Sequence, residues 1–194
     1  VKYSAYLYLI MVSISESLNF YKRKDIQEAI IENSKSREVA VRFGEKGFGK
    51  RPDILTYPND VLEFAQKGVS SFHISEEIWS NPMLLKPMMK PREVNDIRQG
   101  WDLILDIDCK ELDFSKITTY YIMEALKHQG INNYSVKFSG NHGFHIGVPF
   151  KAFPKIVHGQ ETRTLFPEGP RIIAEYLREM IKKHLTKKLL EKKS

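Results

Sequence analysis

The chain has 194 residues, 42% of them hydrophobic, enough to bury one good core and to form one domain. Its formal charge of +6 invites a polyanionic partner, but residues 181–194 hold six lysines against one glutamate, a net +5, which leaves about +1 for residues 1–180. A single cysteine, Cys109, excludes an intrachain disulfide framework and a zinc-thiolate cluster, so no structural zinc is expected, and it fits a reducing, intracellular (cytoplasmic) setting.

Residues 1–12 are apolar but too short to span a bilayer, and they lack a clear cleavage site, so neither a membrane contact nor an export signal is read there. The segment is either an edge strand or an extension ahead of a start at Met11. Residues 25–34 pattern as a helix with Ile26, Ala29 and Ile30 on one face, and residues 39–43 as a strand. Gly44, Gly47 and Gly49 then interrupt the chain beside Lys46, Lys50 and Arg51; neither a P-loop nor a Rossmann spacing is present, and a basic hairpin or loop is expected. Residues 60–67 pattern as another helix. Pro82, Pro87 and Pro91 deny residues 81–91 a long regular element and predict a loop over an apolar surface, with its methionines serving packing.

The apolar run ending in Asp106-Ile107-Asp108 reads as a strand. Residues 115–129 follow as a helix, with Ser115 as its N-cap, Tyr121, Ile122, Ala125 and Leu126 on one face, and Gly130 as its stop. Strands are expected at 135–138 and again after Gly143, where Phe144, Ile146 and Val148 alternate with His145 and Gly147. The strand, helix, strand order allows a crossover that brings the two ends to one side of a sheet. A last helix begins near Gly169-Pro170 and presents Ile172, Ile173, Tyr176, Leu177, Met180 and Ile181 at helical spacing, its first half docking on the sheet.

Two segments carry chemistry. In a strand, residues two apart share a face, so Asp106 and Asp108 project together while Leu105 and Ile107 turn to the core. Paired carboxylates suit a hard cation, Mg2+ or Mn2+, and two such ions can clamp the attacking and leaving oxygens of a phosphoryl displacement. A solvated strand end carries the same residues without any role. The second segment is Ser139-Gly140-Asn141-His142-Gly143-Phe144-His145. Gly140 and Gly143 allow a tight turn that brings N–H groups to an anion, Ser139 adds a hydroxyl donor, Lys137 a counter-charge, and His145 shares a face with Gly147. Alone, this segment also reads as a plain turn between two strands.

Together these residues resemble the archaeo-eukaryotic primases, specifically the small, catalytic subunit of DNA primase. Phe20-Tyr21, Arg37-Glu38 and the segments around Phe72-His73-Ile74-Ser75 and Trp79-Ser80-Asn81-Pro82 are similar in order and spacing to that family, as is the helix from Pro170, so the resemblance spans about residues 20–180. It implies an α+β fold with a mixed-sheet catalytic core, residues 1–19 as an extension and residues 181–194 as a basic tail. It implies further that Asp106 and Asp108 are catalytic and bind the divalent metals, and that Ser139, Gly140, Gly143 and His145, with Lys137 and His142 beside them, bind nucleotide. The substrates would be nucleoside triphosphates with a DNA template and primer, and the partners a large primase subunit or a chain that supplies a third carboxylate.

The sequence departs from the family in three places. The third motif, a metal-binding aspartate on a later strand, has no match after His145; there is no Cys/His zinc knuckle; and His142 stands where many relatives carry Arg or Lys. A haloacid-dehalogenase-type phosphatase also starts from D-x-D, but the threonine it needs near Lys110 is missing, and D-x-D glycosyltransferases give no reason for the second segment. The remaining rival is a truncated or accessory primase-like protein that binds nucleotide or nucleic acid without catalysis.

Overall fold

A computed structural model describes residues 13–140 and 142–193; the expectations for residues 1–12 and for Asn141 lie outside the described residues. The chain divides into two compact units, residues 1–97 and 98–194, in place of the single lobe expected, because its buried apolar side chains fall into two separate clusters. Both units mix helices with small antiparallel strands, and the fold class is α+β. Among the described residues no helix is long and apolar enough to cross a membrane.

In the first unit α1 (Ile14–Tyr21), α2 (Lys24–Ser34), β1 (Val39–Arg42), α3 (Pro58–Gln66), β2 (Ser71–Ile74), β3 (Glu77–Trp79) and α4 (Pro91–Ile97) follow in order. Ser13 opens α1 with reciprocal caps: its hydroxyl accepts from the Glu16 N–H at 3.1 Å, and the Glu16 carboxylate accepts from the Ser13 N–H at 2.8 Å. β1 and β2 pair antiparallel, with Val39 opposite Ile74 and Arg42 opposite Ser71, and Val39 and Val41 join Leu55, Val61 and Val69 in the core. The Arg37-Glu38 pair is engaged within this unit. One Arg37 nitrogen donates to the carbonyls of Ser75 and Glu76 at 3.0 and 2.8 Å, while the buried Glu38 carboxylate accepts from Arg51 Nε and Nη2 at 2.7 and 2.9 Å.

The second unit runs β4 (Arg98–Trp101), β5 (Leu103–Asp108), α5 (Leu112–His128), β6 (Ser135–Phe138), β7 (Gly143–Val148), β8 (Ile156–Val157), β9 (Gln160–Glu161) and α6 (Glu168–Lys193). The sheet order is β5-β7-β6, with both neighbouring pairs antiparallel. The resemblance implied a mixed sheet; the crossover through α5 does leave β5 and β6 parallel, but β7, returning from β6 through a tight turn, slots between them and removes the parallel contact. Leu103, Leu105, Ile107, Ile146 and Val148 are buried on the face that α5 and α6 cover. Beside them Trp101 is 1% exposed, donates from Nε1 to the Thr162 carbonyl at 2.9 Å, and meets the rings of Phe150, Phe153 and Phe166.

α5 begins at Leu112, so Ser115 is not its N-cap but a fully buried residue of its first turn. Ser115, Thr119, Ile122 and Leu126 form the buried stripe of the helix, and its two polar members hide the pattern from a hydrophobicity reading. Gly130 ends the helix as expected, at φ +78°: its N–H donates to the Lys127 carbonyl and that of Ile131 to Leu126, a Schellman arrangement. In α6, Leu177 and Ile181 are buried but Ile172 and Tyr176 face outward, and the helix runs unbroken through the basic segment. Lys192, near its end, pairs with Asp113 at the start of α5.

Neither the Ser115 nor the Thr119 hydroxyl has a hydrogen-bond partner among the described residues. A buried hydroxyl without a partner costs about 1–3 kcal/mol, and alanine is the better helix former. Ser115→Ala is therefore expected to raise the unfolding free energy, by about 1 kcal/mol, in urea denaturation; a loss of that size instead would mean that the hydroxyl is satisfied.

Candidate functional site

β5 alternates as its sequence demands, with Leu103, Leu105 and Ile107 buried and Ile104, Asp106 and Asp108 exposed. The exposed set lies on the sheet face opposite α5 and α6. Antiparallel pairing places Asp106 directly opposite His145 on β7, and His145 directly opposite Lys137 on β6. One row across three strands thus reads carboxylate, imidazole, ammonium. The side chain of Asp106 is 70% exposed and that of His145 33%, with His145 Nε2 3.4 Å from Asp106 Oδ1. That distance exceeds an ordinary hydrogen bond, so the pair stays open to a third group between or beside its atoms.

Asp108 pairs with Gly143. A Cβ on Gly143 would fall 2.4 Å from the Ile107 carbonyl oxygen and 3.3 Å from Asp108 Oδ1. The glycine is required by the close approach of β5 and leaves room for the Asp108 carboxylate. Gly140, by contrast, sits at φ +96° with nothing around it, a turn glycine.

The turn itself is closed from within. The Ser139 N–H donates to the Gly143 carbonyl at 2.9 Å, and the Gly143 N–H donates to Ser139 Oγ at 3.2 Å. The Gly143 N–H that the sequence reading offered to an anion is therefore engaged, as is the Ser139 N–H, while the Ser139 hydroxyl keeps its own hydrogen to donate. Ser139, Gly140 and His142 are exposed at the tip of the β6–β7 hairpin.

A second row, which sequence reasoning missed, flanks the first: Ile104, Gly147 and Ser135 lie opposite one another. A Cβ on Gly147 would meet Ser135 Oγ at 3.0 Å and Ile104 Cδ1 at 3.5 Å. Beside His145, Gly147 thus forms a narrow floor with a hydroxyl on one side and an apolar wall on the other. The hairpin register, which follows from the tight turn after Phe138, is the sequence signal that locates Ser135 there.

Two carboxylates and one imidazole share this face, yet among the described residues no three His, Cys, Asp or Glu side chains converge as a metal-binding group. Asp106 and Asp108 are chemically suited to a hard cation as two of its oxygen ligands; the remainder would come from water, substrate phosphates or a further carboxylate.

Gly143→Ala is expected to lower the unfolding free energy by about 1–3 kcal/mol through the forced contact with the β5 backbone. An unchanged urea midpoint would show that β5 and β7 are not in this register at Gly143.

No family model matches the chain. An uncharacterized protein of Methanocaldococcus jannaschii, MJECS07, is 25% identical over 145 residues, which cover 73% of this chain and 30% of that protein. The chain thus spans about 30% of the length of the curated relative it matches.

Proposed function

We propose that this chain carries a metal-dependent nucleotidyltransferase site of the primase type, working inside the cell on nucleoside triphosphates with a DNA template and primer. The observation that carries the reading is the row of Asp106, His145 and Lys137 on one open sheet face, with Asp108 on the same face of β5. In this reading Asp106 and Asp108 hold Mg2+ or Mn2+. Ions held there would neutralise charge on the reacting phosphate and its leaving group. Lys137, His145 and the Ser139 hydroxyl, with His142 and Gly140 at the hairpin tip, face the triphosphate, and a primer 3′-hydroxyl attacks the α-phosphate as pyrophosphate departs.

A second reading has an observation of its own. No third carboxylate joins Asp106 and Asp108 among the described residues, and a two-metal site without one loses charge that holds the ions and the transition state. The chain would then be an accessory nucleotide- or nucleic-acid-binding unit, or would receive its third carboxylate from elsewhere, with a large primase subunit as a further partner.

The two readings part in one assay. Manganese-dependent incorporation of labelled nucleoside triphosphates on single-stranded DNA, with and without primer, is expected for the intact chain and is expected to vanish in the Asp106→Asn, Asp108→Asn double variant. No incorporation by the intact chain would overturn the catalytic reading in favour of the accessory one.

A further inference from the structure

In the first unit, residues 47–53 fold back along β1. The Phe43 N–H donates to the Gly47 carbonyl at 2.9 Å, that of Gly49 to Val41 at 2.8 Å, that of Val39 to Asp53 at 2.8 Å, and Arg42 bridges to Phe48. Three extended segments therefore lie side by side, with Val39, Val41, Phe72 and Ile74 turned to the core. A Cβ on Gly49 would meet the side chains of Val41 and Phe43 at 3.0 and 3.3 Å, so Gly49 backs onto that core face and its neighbours Phe48 and Lys50 take the outer one. There the Phe48 ring, 53% exposed, stands edge-on to His73 at 5.1 Å, with the Arg42 guanidinium 6.0 Å from its centroid.

The charges on this face do not cancel. Arg51 is committed to the buried Glu38 carboxylate, which leaves Arg42, Lys50 and the exposed Lys46 of the turn against Glu45. Asp53, at the far end of the segment, turns its carboxylate to the Ile54 N–H. An exposed aromatic ring among unneutralised cations suits a partner that offers a flat π-face every few ångströms and a negative charge between them.

We propose that this face is a stacking platform for single-stranded nucleic acid, with Phe48 taking a base and Arg42, Lys46 and Lys50 the adjacent phosphates. Duplex offers the same phosphates but keeps its base faces stacked on one another, so the platform discriminates for unpaired strands. The proposal needs neither a metal ion nor Asp106 and Asp108, and it stands or falls separately from the nucleotidyltransferase reading.

The test is fluorescence anisotropy of the full chain with labelled oligothymidylate of about 12 nucleotides, within the span such sites cover, in EDTA and without triphosphate. Phe48→Ala is expected to weaken binding about tenfold and Phe48→Trp to retain it, with the thermal melt of each variant checking the fold. Arg42→Gln and Lys50→Gln are each expected to reduce the slope of log affinity against log salt by about 0.7. Unchanged binding in Phe48→Ala, equal competition by duplex of the same length, or self-association of the chain that Phe48→Ala abolishes in place of oligonucleotide binding would each overturn the platform.

Discussion

The register between β5 and β7 is the constraint on which the second unit depends. Because side chains alternate along a strand, a slip of one residue would turn Leu103, Leu105 and Ile107 to solvent and carry Asp106 and Asp108 toward the core. Each exposed aliphatic side chain would forfeit about 1.5–3 kcal/mol, and each unpaired buried carboxylate would cost several kcal/mol more. Gly143 locks the same register sterically, since a slip would bring His142 or Phe144 under the Ile107 carbonyl, where even a Cβ does not fit. What keeps the apolar side chains inward is therefore also what keeps the acidic and basic ones together outside.

The helices decide that one face stays open. α5 and α6 run antiparallel across the same side of the sheet, with Lys192 paired to Asp113 at one end and Gln129 donating to the Tyr176 hydroxyl at the other. Gly130 and Ile131 close α5 and return the chain to the sheet as β6, so that Lys137 arrives two strands away from Asp106 and on its face. α5 and α6 cover one side of the three strands, and the polar row stands on the other side, where Asp106 and Asp108 are exposed.

Much of this was legible in the sequence wherever a pattern was strict. The alternation in Leu103–Asp108 gave a strand and the side each residue takes, and Gly130 marked the end of α5. The start of α5 was misplaced because Ser115 is a good capping residue by type and here is a core residue by position, as is Thr119. Two units in place of one escaped the reading because periodicity reports which faces are apolar and says nothing of which apolar faces meet. The Ile104, Gly147 and Ser135 row escaped it for the same reason: it exists only across strands. The candidate residues were chosen by type, and the engaged N–H of Gly143 is a consequence of turn closure that residue type alone does not disclose.

The polar row contributes little to holding the sheet together. A pair such as the exposed Asp106 and the half-buried His145, 3.4 Å apart, is worth about 0–1 kcal/mol. Lys137 is exposed on an edge strand, and Asp108 has no hydrogen bond or ion pair among the described residues, so neither anchors a neighbouring element. Stability resides instead in Leu103, Leu105, Ile146, Val148 and Trp101, which never reach that face. Two carboxylates side by side in the open repel one another weakly, and in the proposed reading a cation would relieve that repulsion. Substitutions at Asp106 and Asp108 therefore address the chemistry of the face directly, because the fold beneath it is supported by other residues.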